Sequence, residues 1–397
     1  MRGDFMLFRI NSAVIGVEAP PIAEAMTWLS PAPRNRELIN LCQAVPSYPP
    51  PEALQDEIAR LARADDTSLY SDILGTPELR AALATHMSED YRGSVKPEQV
   101  AITAGCNQAF CIALMALAGP GENIIMPSPW YFSHDMWVKM LRAEVRAIGT
   151  VESGTPFPRI EDAAQAIDQR TRAIVLCNPN NPTGAIYPPQ LIAAFYDVAK
   201  AHGIALIIDE TYKDFRASTE PCHDLFSRPD WDETFIQLYS FSKVFAMTGY
   251  RAGSIIAGPA FVSEVEKIMD CVAICAPRIS QDAALFGLRE VSVWTHAKKQ
   301  LMGERVAALH RAFARPDLKY KILSAGAFFA YVRHPFAGRA AKDVARMLAR
   351  EHDFLCLPGS MFGPGQDAYL RLAFANVGAE MMPAITERLI ESQSTKF

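Results

Sequence analysis

From about residue 100, short apolar runs alternate with helical stretches. "QVAIT" leads into the amphipathic "NQAFCIALMALA", and "ENIIM", "EVRAI", "RAIVLC", "IALIID", "FIQLY" and "GSIIAG" follow, each reading as a buried strand. Such alternation predicts a mainly parallel sheet with helices on both faces. After about residue 291 the texture changes to longer charged helices, "VWTHAKKQLMGERVAALHRAFA" and "AKDVARMLAREH", flanking a short strand-like "AFFAYVR". The Pro-rich "PSYPPPEAL" at 46–54 marks the matching boundary near the other end. The expected fold class is α/β: a large domain over 46–290 with the mainly parallel sheet, and a smaller α+β domain made from both chain ends, 1–45 and 291–397. A chain of 397 residues is too long for one ordinary core, which agrees with two units.

Composition narrows the function classes. Half the residues are hydrophobic and 21% are charged, an enzyme-like balance. The net charge of -5 and the scatter of the basic residues disfavour a nucleic-acid partner. No apolar run reaches bilayer length, and "MRGDFMLFRINSAV" is broken by Asp4, Arg9 and Asn11, so neither a membrane span nor a signal peptide is expected and the location is read as cytoplasmic. Eight cysteines form no C-x-x-C pair and no zinc-like group with histidine, which predicts free buried thiols and no metal site.

In open α/β sheets ligands bind at the carboxyl ends of the strands. Here "QVAIT" ends in "AGCNQ", "ENIIM" in "PSPWY", "AIVLC" in "NPNNPTG", "IALII" in "DETY" and "FIQLY" in "SFSK", so five strand ends bring Asn, Asp, Tyr, Ser and Lys to one edge. Within "YSFSKVFAMTGYRAG", Lys243 stands alone among apolar, aromatic, glycine and hydroxyl residues until Arg251. Taken alone it is either a lysine snorkelling from a surface turn or an amine that burial makes a nucleophile.

Together "NPNNPTG", "DETY", "SFSK" with Arg251, and "YLRLAFA" resemble the fold-type I pyridoxal-phosphate enzymes of the aspartate aminotransferase family (class I/II), over nearly the whole chain and in the family's order. The resemblance implies pyridoxal 5'-phosphate as cofactor, with Lys243 forming the Schiff base and shuttling the proton. Asp209 matches the partner of the pyridinium nitrogen, and Asn181 and Tyr212 the partners of the ring's phenolic oxygen. Phosphate contacts map to Gly105, Cys106 and Asn107 at a helix N-terminus, to Arg251 and Ser240, and to Ser242, which alternatively only supports the loop. Tyr131 occupies the stacking position, with Trp130 beside it as core or rim. Arg371 matches the clamp on the substrate α-carboxylate, where Asn181 and the backbone at Ala44 also face substrate. Tyr70 matches the tyrosine that reaches the neighbouring subunit's phosphate, which implies a homodimer with composite sites.

Two departures bear on substrate. Ala44 in "LCQAVPSYPPP" replaces a usual glycine, and "GCNQ" replaces the "G-G-K-Q" of some relatives acting on dicarboxylates, so Asn107 brings no charge. Trp130, Tyr131 and Tyr48 offer apolar area. The expectation is therefore a ping-pong aminotransferase with a neutral or aromatic L-amino acid donor and 2-oxoglutarate or pyruvate as acceptor, unless an arginine such as Arg278 swings in to pair a second carboxylate. A β-lyase, a cyclopropane-carboxylate synthase-like elimination or a decarboxylation on the same fold is the alternative. A non-enzymatic relative would normally have lost the lysine or the aspartate, and both are here.

Overall fold

A computed structural model describes residues 8–29, 36–149 and 154–395. A two-residue strand, Ile39–Asn40 (β1), comes first in the chain. The central sheet then takes Val100–Thr103 (β2), Asn123–Ser128 (β3), Glu144–Gly149 (β4), Thr171–Cys177 (β5), Ala205–Asp209 (β6), Phe235–Ser240 (β7) and Gly253–Ile256 (β8). Their order is β2-β8-β7-β6-β5-β3-β4. Only β8 runs against its neighbours, so β2, β3, β5, β6 and β7 all point their carboxyl ends to one edge.

The side-chain period of two explains why helices cover both faces. Ile125, Ile174, Leu176, Leu206 and Ile208 enter one core, packed with Leu79, Leu83, Phe195 and Ala284 from the covering helices. Ile124, Met126, Val175, Ile207 and Leu238 enter the other, against Phe110, Leu114, Val262 and Val265. The segment "EVRAI" is a strand as expected but not a buried one. Among the described residues β4 pairs only with β3, and of its residues only Ile148 is buried. An edge strand has one flank in solvent, and here it carries charge: Arg146 pairs with Asp168 at 2.6 Å.

A third core joins both ends of the chain. Ala25, Trp28, Ile39 and Leu41 pack with Met302, Leu309, Val344, Leu348, Leu370 and Leu389. Its sheet is antiparallel and holds Lys321–Gly326 (β9), Phe329–Arg333 (β10), Leu357–Pro358 (β12) and Tyr369–Leu372 (β13) in the order β12-β13-β10-β9. A further strand, Phe354–Leu355 (β11), pairs in parallel with β1. Tyr212 and Phe215, just past the end of β6, are buried in this third core, so the core meets the central sheet at its functional edge.

Candidate active site

At the carboxyl edge of the central sheet lies a cavity of about 190 Å³, lined by side chains from the ends of β5, β6 and β7 and from the residues after β2. Lys243 lies in the short helix Phe241–Val244, whose first turn is capped by Ser240: the Ser242 N–H donates to Ser240 Oγ at 3.2 Å. The Lys243 ammonium donates to the Ala44 carbonyl at 2.6 Å. Burial, and then the positive charges of Arg251 and Arg371, bring its pKa down to about 8. A neutral amine is therefore accessible near physiological pH, and that form is both nucleophile and base.

Asp209 closes β6 as a buried residue, 5% exposed, and three donors surround it. His134 Nε2 lies 3.3 Å from Oδ2, while the Thr211 N–H, at 3.0 Å, and the Cys106 thiol, at 3.4 Å, donate to Oδ1. Burial alone would raise its pKa. The hydrogen bonds from His134 and Thr211 outweigh burial and hold the carboxyl below its ordinary value. His134 is the functional side chain missing from the sequence reading. It is buried, stacks on Phe110 with centroids 4.0 Å apart, and meets Tyr131 edge-on at 5.2 Å. It stands three residues after Tyr131, one helical turn on, and that spacing was the available signal.

The anion-binding quarter is built from the turn after β2. Gly105 has φ 86 and a Cβ there would overlap the Arg251 guanidinium, so the position needs glycine on both counts. Its own N–H donates to the Thr103 carbonyl at 2.8 Å, which removes Gly105 from the set of free donors. The N–H groups of Cys106 and Asn107 open the helix Cys106–Leu117 and meet no acceptor among the described residues. Arg251 is itself in the left-handed region, φ 56, which turns its side chain back toward this turn; it donates to the Thr248 carbonyl at 3.1 Å and lies 3.4 Å from Ser242 Oγ.

Asn181 and Tyr212 line the same cavity, as do Tyr131, Ser240, Ser242 and Asn107. The Tyr212 ring packs between Phe328 and Phe329, and burial pushes its phenol well up. Arg371 stands behind Asn181, 2% exposed, donating to Asn181 Oδ1 at 3.2 Å and to the Cys42 carbonyl. Its Nε has no partner among the described residues. Tyr70 lies away from this cavity and is 76% exposed. Trp130 is buried in a core of the central sheet, and Tyr48 packs edge-on against Trp294 at 5.6 Å, so of the three expected aromatics only Tyr131 lines the cavity. Arg278 is tied to Asp282 at 2.9 Å and Asp66 at 3.1 Å.

An amine, a buried carboxylate and an anion cradle lining one cavity define an enzyme site suited to a cofactor that carries an aldehyde, a basic ring nitrogen and a phosphate. The residues fit pyridoxal 5'-phosphate: the two unpartnered amides and Arg251 suit the phosphate, Asp209 the ring nitrogen, and Lys243 the aldehyde. Residues 36–389 match the profile of the family Aminotransferase class I and II, and the chain belongs to that family. It is a transaminase, and the family implies the same cofactor.

Among curated relatives, the aspartate aminotransferase of Thermotoga maritima is 28% identical over 347 residues, 86% of this chain and 88% of the relative. An aromatic aminotransferase of Arabidopsis thaliana is 28% identical over 394 residues, 96% of this chain and 95% of the relative. Among solved structures, a single mutant of Thermus thermophilus aspartate aminotransferase superposes with a TM-score of 0.88 at 24% identity, covering 97% of this chain and 100% of that one. The aromatic aminotransferase from Pyrococcus horikoshii gives 0.83 at 23% identity, over 93% and 98%. These likenesses establish the fold. No described helix is long and apolar enough to cross a membrane.

Proposed function

We propose that the protein transfers the amino group of an L-amino acid with a neutral or aromatic side chain to a 2-oxo acid, by a ping-pong sequence in a homodimer with composite sites. The observation that carries this reading is Lys243, with a pKa of about 8, lining the same cavity as the ionised Asp209. When bound, pyridoxal phosphate supplies a ring that accepts the electrons left at the substrate Cα.

This chain's residues supply the rest. Cys106 and Asn107 amides, Ser240, Ser242 and Arg251 hold the phosphate by charge-assisted bonds. Asp209, kept ionised by His134 and Thr211, holds the proton on the ring nitrogen, and Asn181 and Tyr212 orient the ring from its oxygen side. Lys243 takes and returns the proton at the substrate Cα. Arg371 clamps the α-carboxylate with Asn181 beside it, and the Ala44 carbonyl holds the Lys243 ammonium next to that space.

Relatives carry both aspartate and aromatic names, so names do not choose the donor. Charge does. Lys243 and Arg251 are the lysine and arginine lining the cavity among the described residues, and both already have roles. A second substrate carboxylate would lie without a cation, and an unpaired charge in a closed site is strongly disfavoured. The test is the ratio of kcat/KM for phenylalanine or methionine to that for aspartate with a common acceptor. A ratio above one is expected; a ratio well below one overturns the neutral-donor reading.

A further inference from the structure

The cavity that holds Lys243 is not the larger one. A second, of about 440 Å³, opens between helix Pro77–Tyr91, the segment 213–222 and the start of helix Ser292–Phe313. Tyr239, Val244 and Phe245 line it, whereas Ser240, Ser242 and Lys243 line the first, so one short turn separates the two.

Its charges are sorted. On one side they close on themselves: the Lys213 ammonium, 3% exposed, lies 2.5 Å from Asp90 and 3.0 Å from Asp214, and the Tyr239 hydroxyl donates to Asp214 at 2.8 Å. On the other side stand Arg216 and Lys299, both half-buried, and neither has a carboxylate partner among the described residues. Arg216 donates to the Glu220 carbonyl at 2.8 Å and the Lys213 carbonyl at 3.3 Å, and Lys299 to the Ser218 carbonyl at 2.9 Å. Burial, and next the charge of Arg216, hold the Lys299 pKa below its ordinary value. Asp214 and Asp90 act on Lys299 in the opposite sense without outweighing burial and Arg216, and Glu89 also lines the cavity, so two cations hydrogen-bonded only to carbonyls beside an open space still favour an added anion.

We propose that this second cavity binds a compact organic dicarboxylate, with its two carboxylates on Arg216 and Lys299. Two cations offer one partner to each of two carboxylates. The volume falls within the range of small-molecule sites, about 300–1,000 Å³, and exceeds what a phosphate ion fills. Val244, Phe245 and Leu288 offer apolar surface for a carbon skeleton. Nothing in the cavity serves transamination, so the site is separate from the reaction.

Equilibrium dialysis of the holoenzyme against radiolabelled succinate tests it. The wild type is expected to bind one more equivalent per chain than the Arg216→Ala/Lys299→Ala protein, with the KM of the amino donor the same in both. If the double variant fails to fold by circular dichroism, Lys299→Gln alone should weaken the extra site at least tenfold. Equal stoichiometry in wild type and variant overturns the proposal. So does inorganic phosphate that displaces succinate from the Arg216-dependent site at an equal or lower concentration. Dialysis needs no turnover, so the result stands apart from the success or failure of the catalytic reading.

Discussion

The Lys243 ammonium is held by the carbonyl of Ala44, 2.6 Å away and 199 residues distant in sequence. A carbonyl accepts a hydrogen bond but does not neutralise charge, and no carboxylate among the described residues pairs with this lysine. Burial and two neighbouring arginines therefore act on it unopposed and take its pKa from 10.5 to about 8. In cofactor-free protein, acetylation of Lys243 by brief exposure to acetic anhydride, followed by mass spectrometry, should rise with a midpoint near pH 8, well below that of surface lysines. The unfolded chain binds more protons at this site between about pH 8 and 10.5, so its contribution to stability rises with pH across that window. A midpoint near 10.5 would remove the basis for its proposed role.

Asp209 depends on His134. Removing the imidazole leaves Oδ2 without its donor, while Thr211 and Cys106 still serve Oδ1. His134→Ala should lower kcat by about 10- to 150-fold, the equivalent of about 1.5–3 kcal/mol for a hydrogen bond to a charged group. Asp209→Asn should fold and lose ~2–4 kcal/mol at the barrier, as preorganised electrostatic groups do. Single-turnover kinetics on both proteins measure this, and near wild-type rates in Asp209→Asn would exclude the ring-nitrogen role.

Gly105→Ala combines a backbone conformation reserved for glycine with a clash against Arg251. Strain of ~1–3 kcal/mol is expected from the first alone. Cofactor affinity, followed by equilibrium dialysis, should fall about tenfold or more while far-UV circular dichroism stays unchanged. Unaltered affinity would place the phosphate elsewhere.

Tyr70 and its neighbour Leu69 are 76% and 62% exposed, an unusual pair of bulky side chains to leave in solvent. If Tyr70 completes the site of a second copy, inactive Lys243→Ala protein mixed with Tyr70→Ala protein should regain activity, because hybrid dimers hold one intact site. Full activity of wild-type monomers at nanomolar concentration would refute the composite site.

The sequence was most readable where one physical rule governs a whole segment. Uninterrupted apolar runs such as "RAIVLC" and "IALIID" lie in the middle of the sheet, where both faces are buried, and the polar residues after them do line the cavity. Residues whose role depends on a neighbour were less accessible. His134 looks like one polar residue in an ordinary helix until Asp209 is brought to 3.3 Å. Gly105 seems a free donor until the turn folds its N–H onto Thr103. The edge character of β4 follows from which strands pair, and pairing is set by crossovers that local pattern does not encode. In the antiparallel sheet of the third core, "AFFAYVR" stood out but Leu357–Pro358 did not, since two residues carry no period.

Arg371 makes two hydrogen bonds within the chain, both to neutral acceptors. Its two terminal nitrogens rest on Asn181 and Cys42, both neutral acceptors, with Nε bare. A carboxylate reaching the guanidinium could take the remaining N–H groups, Nε among them, or displace these bonds, and either way hydrogen bonds alone do not tell it from a neutral oxygen. What changes is charge. An amino acid amide or ester would bring to the guanidinium only another neutral oxygen, no better than the ones it displaces, while a free acid brings the anion. If Arg371 is the carboxylate clamp, these resting contacts are the reference a ligand has to beat, which would favour a free amino acid over the same residue inside a peptide.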